Sequence, residues 1–301
     1  MPSVSVIIAV YNGEPFIARA VDSALAQDFS DFEIIVVDDG STDATSSILD
    51  KYGGRIRVAR QNNRGPAAAR NRAVAAAQGE YLAFLDADDT WREDKLTLTL
   101  RAIESQVTAV LAFSACRQLL LDEIELADHR CEKVPSLDDM LTQRIDIFPS
   151  TVLMRRSAFE RCGGFCEELR FAFEDTYLWL LARELGEFIY VDELLVRRRV
   201  RDNYCQKYWF TSAKIFEGLV LARYGRRALP ITQENRKHLA SLALHEVAAQ
   251  VELRNPGVAL RWWIQAVRLR PWEAFWRVAR AIPRAGTRLY RRDHATRPSN
   301  S

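Results

Sequence analysis

The feature that most constrains this chain is an alternation, over its first hundred residues, of uncharged β-branched runs with segments of helical periodicity. Residues 4–10 (Val-Ser-Val-Ile-Ile-Ala-Val) carry no charge, which suits a central strand buried on both faces. Tyr11-Asn12-Gly13 ends that run, and a helix is predicted over 14–27, with Pro15 in its first turn and Phe16, Ala20, Val21, Ala24 and Leu25 on one face. A second uncharged strand at 34–37 runs into Asp38-Asp39-Gly40-Ser41-Thr42-Asp43, whose last three residues can cap a helix carrying Ala44, Ile48, Leu49 and Tyr52. A short strand at 56–58 follows. Strand, helix, strand, helix, strand predicts right-handed crossovers and a parallel sheet.

The next two segments bring the chemistry. An Ala-rich helix over 67–78 holds Arg70, Asn71 and Arg72 and stops at Gly79. Alanine suits close packing on a sheet, whereas an arginine there must reach solvent or an anion. Residues 81–85 then form an apolar run that ends in Asp86-Ala87-Asp88-Asp89. Aspartate is a poor strand former, and three neighbouring carboxylates repel one another. Two readings stand: a strand end holding a divalent cation on an anionic ligand, or a solvated turn in which Asp88 or Asp89 caps a helix over 91–105. With a further strand at 108–114, several strands deliver their C-terminal ends to one edge, where ligands bind in open α/β sheets.

Composition excludes several classes. At 301 residues and 48% hydrophobic content the chain can bury a large core, and a net charge of +2 gives no electrostatic case for nucleic acid. Cys116, Cys131, Cys162, Cys166 and Cys205 are odd in number and have neither zinc-site nor disulfide-framework spacing, which fits a reducing cytosol. The first strand is too short for a secretory core and has no basic leader. No apolar run approaches the ~20 residues of a membrane-spanning helix.

Beyond Ala115 the signal loosens. Residues 119–137 read as acidic and irregular, 137–141 as a short helix, 151–154 as a strand and Cys162-Gly163-Gly164-Phe165 as a turn. Glu174-Asp175 opens an apolar helix over 176–185 that Gly186 ends; acids there can serve as caps or do chemistry. Strands are predicted at 188–191 and 194–200. Arg197-Arg198-Arg199-Val200-Arg201 suits either a face that meets phosphate or a solvated edge. From about residue 204 the pattern is helical, with segments at 230–253, after Pro256 and after Pro271.

Taken together, residues 4–12, Asp38 to Asp43, Asn63-Arg64-Gly65 with Arg70-Asn71, Asp86-Ala87-Asp88-Asp89, and Glu174-Asp175 before Leu178-Trp179 resemble the inverting nucleotide-sugar glycosyltransferases of family 2. The resemblance covers about residues 3–200. It implies a GT-A fold: a Rossmann-like, mostly parallel central sheet flanked by helices. The expected layout is a catalytic domain over 1–202, with a nucleotide-binding part to 114 and an acceptor-binding part after it. A C-terminal helical region with a basic tail would fill 203–301.

The resemblance also implies roles. Asp88 would bind Mn²⁺ or Mg²⁺ on the donor diphosphate and Asp86 would lie near the ribose or metal. Ala9, Tyr11, Asp39 and Arg70 would complete the nucleotide site, Tyr11 by stacking on a uracil, Asp39 by accepting its imide N–H and Arg70, with Arg64, by supporting phosphate or base. Asp175 would be the general base, with Glu174 its competitor. A retaining double displacement would need a second close nucleophile, for which there is no independent candidate.

Processive synthases of this family add membrane helices and a Gln-x-x-Arg-Trp motif, and Gln206-Lys207-Tyr208-Trp209 lacks the arginine; transfer of a single sugar to a saccharide or lipid-linked acceptor is therefore expected. The rival nucleotidyltransferase reading calls for a Gly-rich phosphate loop, which Tyr11-Asn12-Gly13-Glu14-Pro15 is not. A non-catalytic scaffold is the other alternative, and retention of both metal cluster and base argues against it.

From Arg254 to Arg297 the chain has 11 arginines against Glu273 and Asp293, with Trp262, Trp263, Trp272 and Trp276 interleaved. An amphipathic stripe of Trp272, Phe275, Trp276 and Ala279 beside Arg277, Arg280, Arg284 and Arg288 suits either peripheral attachment to the anionic inner face of the plasma membrane or packing on the catalytic domain.

Overall fold

In the computed structural model, residues 1–120, 124–142, 145–170, 172–200, 206–252 and 256–269 are described. They fall into two compact units, Met1–Ala228 and Leu229–Ser301.

The first unit is built on a nine-stranded sheet. Its N-terminal half runs β1 (Val4–Val10), α1 (Ile17–Leu25), β2 (Phe32–Asp38), α2 (Thr45–Asp50), β3 (Arg57–Arg60), α3 (Pro66–Ala76) and β4 (Tyr81–Asp86). These four strands are parallel in the order β3-β2-β1-β4, as the alternation of the sequence predicts. Val4, Val6, Ile8 and Val10 are buried together with Ile17, Ala20, Val21 and Ala24 of α1. On α3, Ala67, Ala68, Ala69 and Ala73 are buried, side chains small enough for the helix to lie close to the strands it packs on. At about 1.5–3 kcal/mol for each large aliphatic side chain buried, this core fixes the strand ends that the site needs.

Next come β5 (Thr90–Trp91), α4 (Lys95–Glu104), β6 (Ala109–Leu119), β7 (Glu125–His129), α5 (Leu137–Thr142), β8 (Val152–Arg155), α6 (Arg156–Cys162), α7 (Glu174–Leu185), β9 (Glu187–Arg199) and α8 (Gln206–Tyr224). The sheet continues β4-β8-β6-β9-β5, with β8 antiparallel to both β4 and β6, β9 parallel to β6, and β7 on the margin of β6.

Four local expectations change. The helix predicted to begin at Trp91 begins at Lys95, because Thr90 and Trp91 pair with Arg197 and Val196 of β9 and the Trp91 indole N–H donates to the Ser150 carbonyl at 2.8 Å. Its N-cap is Asp94, so Asp88 and Asp89 are not its caps. The stretch after Leu119 is not wholly irregular: β7 forms there, its acids answering Arg117, which pairs with Glu125 at 3.0 Å and Asp128 at 2.8 Å. The two predicted last strands are one, β9, whose register against β6 shifts near Ser114 and Ala115. A short helix, α6, forms where none was expected. The four described cysteines are free, and Cys205 lies outside the described residues.

Lys95 is fully buried, its ammonium donating to the Val152 carbonyl at 3.1 Å and lying 4.2 Å from the centre of the Trp91 ring. Burial pulls it from the ordinary 10.5 down to about 7. The unfolded chain therefore binds more protons between pH 7 and 10.5, and stability rises with pH across that window; below pH 7 the whole penalty, of order 4 kcal/mol, is present. Lys95→Met is expected to add about 2–3 kcal/mol near pH 6 and to flatten the rise, as measured by denaturant unfolding across that range.

The second unit has α9 (Leu229–Glu252) packed along α10 (Pro256–Leu269). Among the described residues no helix is long and apolar enough to cross a membrane. The stripe predicted after Pro271 lies outside the described residues.

Candidate active site

The parallel strands bring the predicted residues to one edge. Ala9 pairs in register with Val37 on one side and Asp86 on the other, so the ends of β1, β2 and β4 meet. Tyr11, just past β1, is 39% exposed and follows directly on that edge. The loops after β1 and β2 are zipped together: Gly13 N–H donates to Thr45 Oγ1 at 2.8 Å, Asn12 N–H to Ser41 Oγ at 2.9 Å, and Thr42 N–H to Asn12 Oδ1 at 2.8 Å. This explains the Ser-Thr-Asp sequence of the second loop.

Asp39 is buried and already engaged. Its carboxylate accepts Gln61 Nε2 at 2.7 Å, Arg64 N–H at 2.9 Å and Gly65 N–H at 2.8 Å, so it clamps the turn before α3. Gly65 has φ of +91°, and a side chain there would run into Arg170, so glycine is required. The Arg64 guanidinium turns to Glu167 at 2.7 Å. An open groove of about 690 Å³ flanks this point, lined among others by Gln61, Arg64, Asn71 and Arg72; it does not include the acidic cluster.

Arg70 is the centre of the arrangement. One guanidinium nitrogen donates to Asp86 at 2.7 Å and another to Glu174 at 2.9 Å, and the group lies 5.3 Å from the centre of the Phe165 ring. Beneath it, Phe84, Phe159, Phe165 and Trp179 pack edge-on or tilted, at 5.3–6.3 Å between centres, and join β4, α6 and α7. Burial works against its charge, but Asp86 and Glu174 hold it more firmly protonated than usual. The strand end from the first half and the helix start from the second are thereby tied through one cation.

Glu174 and Asp175 part ways. Glu174 is buried on Arg70; burial, with Asp175 beside it, pushes it up to about 7 against the pull of the guanidinium. Asp175 is half-buried, accepts Thr176 N–H at 2.6 Å and is raised by burial, with Asp86 and Asp146 adding negative charge. Phe173, before them, has φ of +68°, a strained conformation for an aromatic residue, and its ring stacks at 5.1 Å on Phe216 of α8.

Sequence reasoning missed the support under the acidic turn. Ser150, fully buried, accepts Asp86 N–H at 3.0 Å and donates to Asp89 at 2.6 Å; the other Asp89 oxygen accepts Arg199 N–H at 2.8 Å. Burial, then Asp88 and Asp86, push Asp89 well above the carboxylate range. The last aspartate is thus a strut between β4, the turn before β8, and β9. Arg199 itself is buried, donating to the Leu120 carbonyl at 3.1 Å and lying 4.8 Å from the Phe16 ring, while Arg198 lies 3.8 Å from the Phe148 ring. No local signal marks Ser150 or Asp146: folding alone brings Ser150 to the acidic turn and Asp146 to Asp175.

The model of the family described as glycosyl transferase family 2 matches residues 5–163, more than half of the chain. The chain belongs to family 2 of the glycosyltransferases. An uncharacterised glycosyltransferase, EpsJ of Bacillus subtilis, is 34% identical over 216 residues, covering 67% of this chain and 62% of the relative. One from Rickettsia typhi is 31% identical over 214 residues, covering 67% and 65%. This family 2 chain thus spans just under two thirds of the length of these relatives. TuaG of Bacillus subtilis, a proposed teichuronic acid biosynthesis glycosyltransferase, is 44% identical over 117 residues, 38% of this chain and 45% of its own.

Among solved structures, Staphylococcus aureus TarS in complex with UDP superposes with a TM-score of 0.60 at 21% identity, over 91% of this chain and 82% of that one. The mannosyltransferase PcManGT of Pyrobaculum calidifontis, with GDP-Man and Mn²⁺, gives 0.57 at 20%, over 96% and 82%. These likenesses establish the fold: a GT-A-like α/β sheet flanked by helices, with a C-terminal helical region.

Proposed function

We propose that this family 2 protein is an inverting glycosyltransferase that moves one sugar from a nucleotide donor, a UDP-sugar, to a hydroxyl of a saccharide or lipid-linked acceptor in surface-polysaccharide or glycoconjugate synthesis, at the cytoplasmic face of the membrane. The observation that carries the reading is the Arg70 bridge, which holds the Asp86–Asp88 strand end and the Glu174–Asp175 helix start in one hydrogen-bonded unit. The UDP complex of TarS and the name of TuaG support the donor and the setting.

Asp86 and Asp88 would hold a divalent ion. Asp86, Glu174 and Asp175 interact electrostatically with Arg70, and Asp86 and Asp88 with Asp89; one guanidinium among these acids leaves negative charge at the Asp86–Asp88 end that a cation offsets. Among the described residues no group of three or more His, Cys, Asp or Glu could hold a metal ion by itself. Two carboxylates completed by substrate phosphates is the donor set on which Mg²⁺ and similar hard ions are bound. Such an ion supplies Lewis-acid stabilisation of charge on the departing diphosphate.

The chain's own residues do the rest. Ala9, Tyr11 and Asp39 line the β1–β2 side for the base, where Asp39 has room for one more donor beyond its three. Arg70 orients Asp86 and adds positive charge near the phosphates. Asp175, not sequestered by Arg70 as Glu174 is, takes the acceptor proton as the hydroxyl attacks the anomeric carbon opposite the leaving group.

The test is isothermal titration of UDP, with GDP as comparison, into the wild type and Asp88→Ala, with Mn²⁺ and with chelator. Metal-dependent UDP binding weakened at least about tenfold by the substitution is expected. Binding of UDP that neither chelator nor Asp88→Ala alters would overturn the metal role, and no binding of either nucleotide would overturn the donor assignment.

A further inference from the structure

The C-terminal hairpin has a face that its own packing does not use. With about 100° between successive residues, the buried side of α10 is centred on Ala259 and Ala266, and the half-buried Trp262 and Trp263 flank it. On the opposite side Leu260 is 56% and Ile264 38% exposed, one turn apart. Beside them stand Arg261 and Arg268, both exposed and seven residues apart, hence on one stripe. No acid occurs between Glu252 and Glu273. Aliphatic side chains bordered by cations of a single sign, with indoles at the margins, make a surface that is apolar in the middle and positive along one side.

We propose that this face docks on an anionic lipid surface, with Leu260 and Ile264 entering the headgroup layer and Arg261 and Arg268 on lipid phosphates. Charge complementarity selects this occupant. A second copy meeting the face antiparallel, about a two-fold axis across the helix, would set arginine stripe against arginine stripe. The chain beyond Leu269 is itself basic, with eight arginines against Glu273 and Asp293, and would be repelled. The cores of protein–protein interfaces are depleted in charge, whereas an anionic bilayer answers both the aliphatic ridge and the cations. Two aliphatic side chains and two cations give weak, reversible, salt-sensitive attachment. The inference does not rest on the donor chemistry.

The test is flotation of the full chain with phosphatidylcholine vesicles, with and without phosphatidylglycerol, at low and high salt. The wild type is expected to float with the anionic vesicles at low salt and to be released by high salt. Leu260→Ser with Ile264→Ser should lower binding about tenfold, and Arg261→Gln or Arg268→Gln roughly fivefold each. UDP titration and circular dichroism on the same samples should be unchanged, which shows that the variants fold and separates failure here from failure of the donor assignment. Wild-type binding to neutral vesicles as strong as to anionic ones would overturn the proposal. So would full binding by the Leu260/Ile264 variant, or light scattering that shows a wild-type dimer which this variant makes monomeric.

Discussion

Asp175→Asn is expected to slow glycosyl transfer by about 10²–10⁴-fold, the usual worth of a positioned general base, while nucleotide affinity stays within about twofold of wild type. The amide keeps the shape of the carboxylate and can still accept the Thr176 N–H that the acid accepts at 2.6 Å, so α7 keeps its start. What is lost is the ability to take a proton. Single-turnover rates with a labelled UDP-sugar and acceptor separate chemistry from binding, and a variant that transfers at the wild-type rate would remove Asp175 from the mechanism. Glu174→Gln makes the control, because that side chain is committed to Arg70 at 2.9 Å and its loss should weaken donor binding and stability together. Because burial raises Asp175 above the ordinary aspartate value, the base form is lost earlier on acidification, and the acid limb of kcat/KM should be displaced upward from where a solvated aspartate would put it.

Arg70→Met is expected to lower folding stability by about 3–5 kcal/mol near neutral pH, the typical consequence of leaving buried charge without its partner. The guanidinium is 9% exposed and is the hydrogen-bond donor to both Asp86 and Glu174. Without it, Glu174 has burial and Asp175 raising it and no cation opposing them, so it takes up a proton in the folded state. A carboxyl protonated in the folded chain but ionised in the unfolded one makes stability fall as pH rises between the two pKa values. With the guanidinium present Glu174 already stands at about 7, so the extra loss should grow as pH rises above 7 and level off below it, and denaturant unfolding of variant and wild type side by side across pH 5–9 reads that difference. A loss that does not vary with pH would mean that the bridge acts through packing on Phe165, 5.3 Å away, rather than through charge.

Residues that act through their own strand were legible without a structure. The uncharged runs placed β1, β2 and β4, helical spacing of apolar residues placed α1, an Ala-rich run ended by Gly79 placed α3 and an apolar run ended by Gly186 placed α7, and the strand ends carried their polar residues to one edge, because in a parallel sheet register follows from burial on both faces. Boundaries set by partners far along the chain were not legible. Trp91 was read as helix because nothing nearby shows that Val196 and the Ser150 carbonyl will claim it. β7 was read as irregular because its faces are solvated and its pairing depends on Arg117.

The same division runs through the site. Chain composition alone determined which groups reach the sheet edge: the aspartates after β4, the arginine on α3 and the acid pair that opens α7. Only tertiary structure decided what each does there. Asp89 became a strut because Ser150 and the Arg199 backbone meet its two oxygens, and Glu174 and Asp175, equivalent as a dipeptide, diverged because Arg70 reaches one and not the other. A side chain's type depends on its own codon, but its ionisation and its hydrogen bonds depend on burial and on neighbours that folding brings from far along the chain, 104 residues for Arg70 and Glu174 and 110 for Asp89 and Arg199.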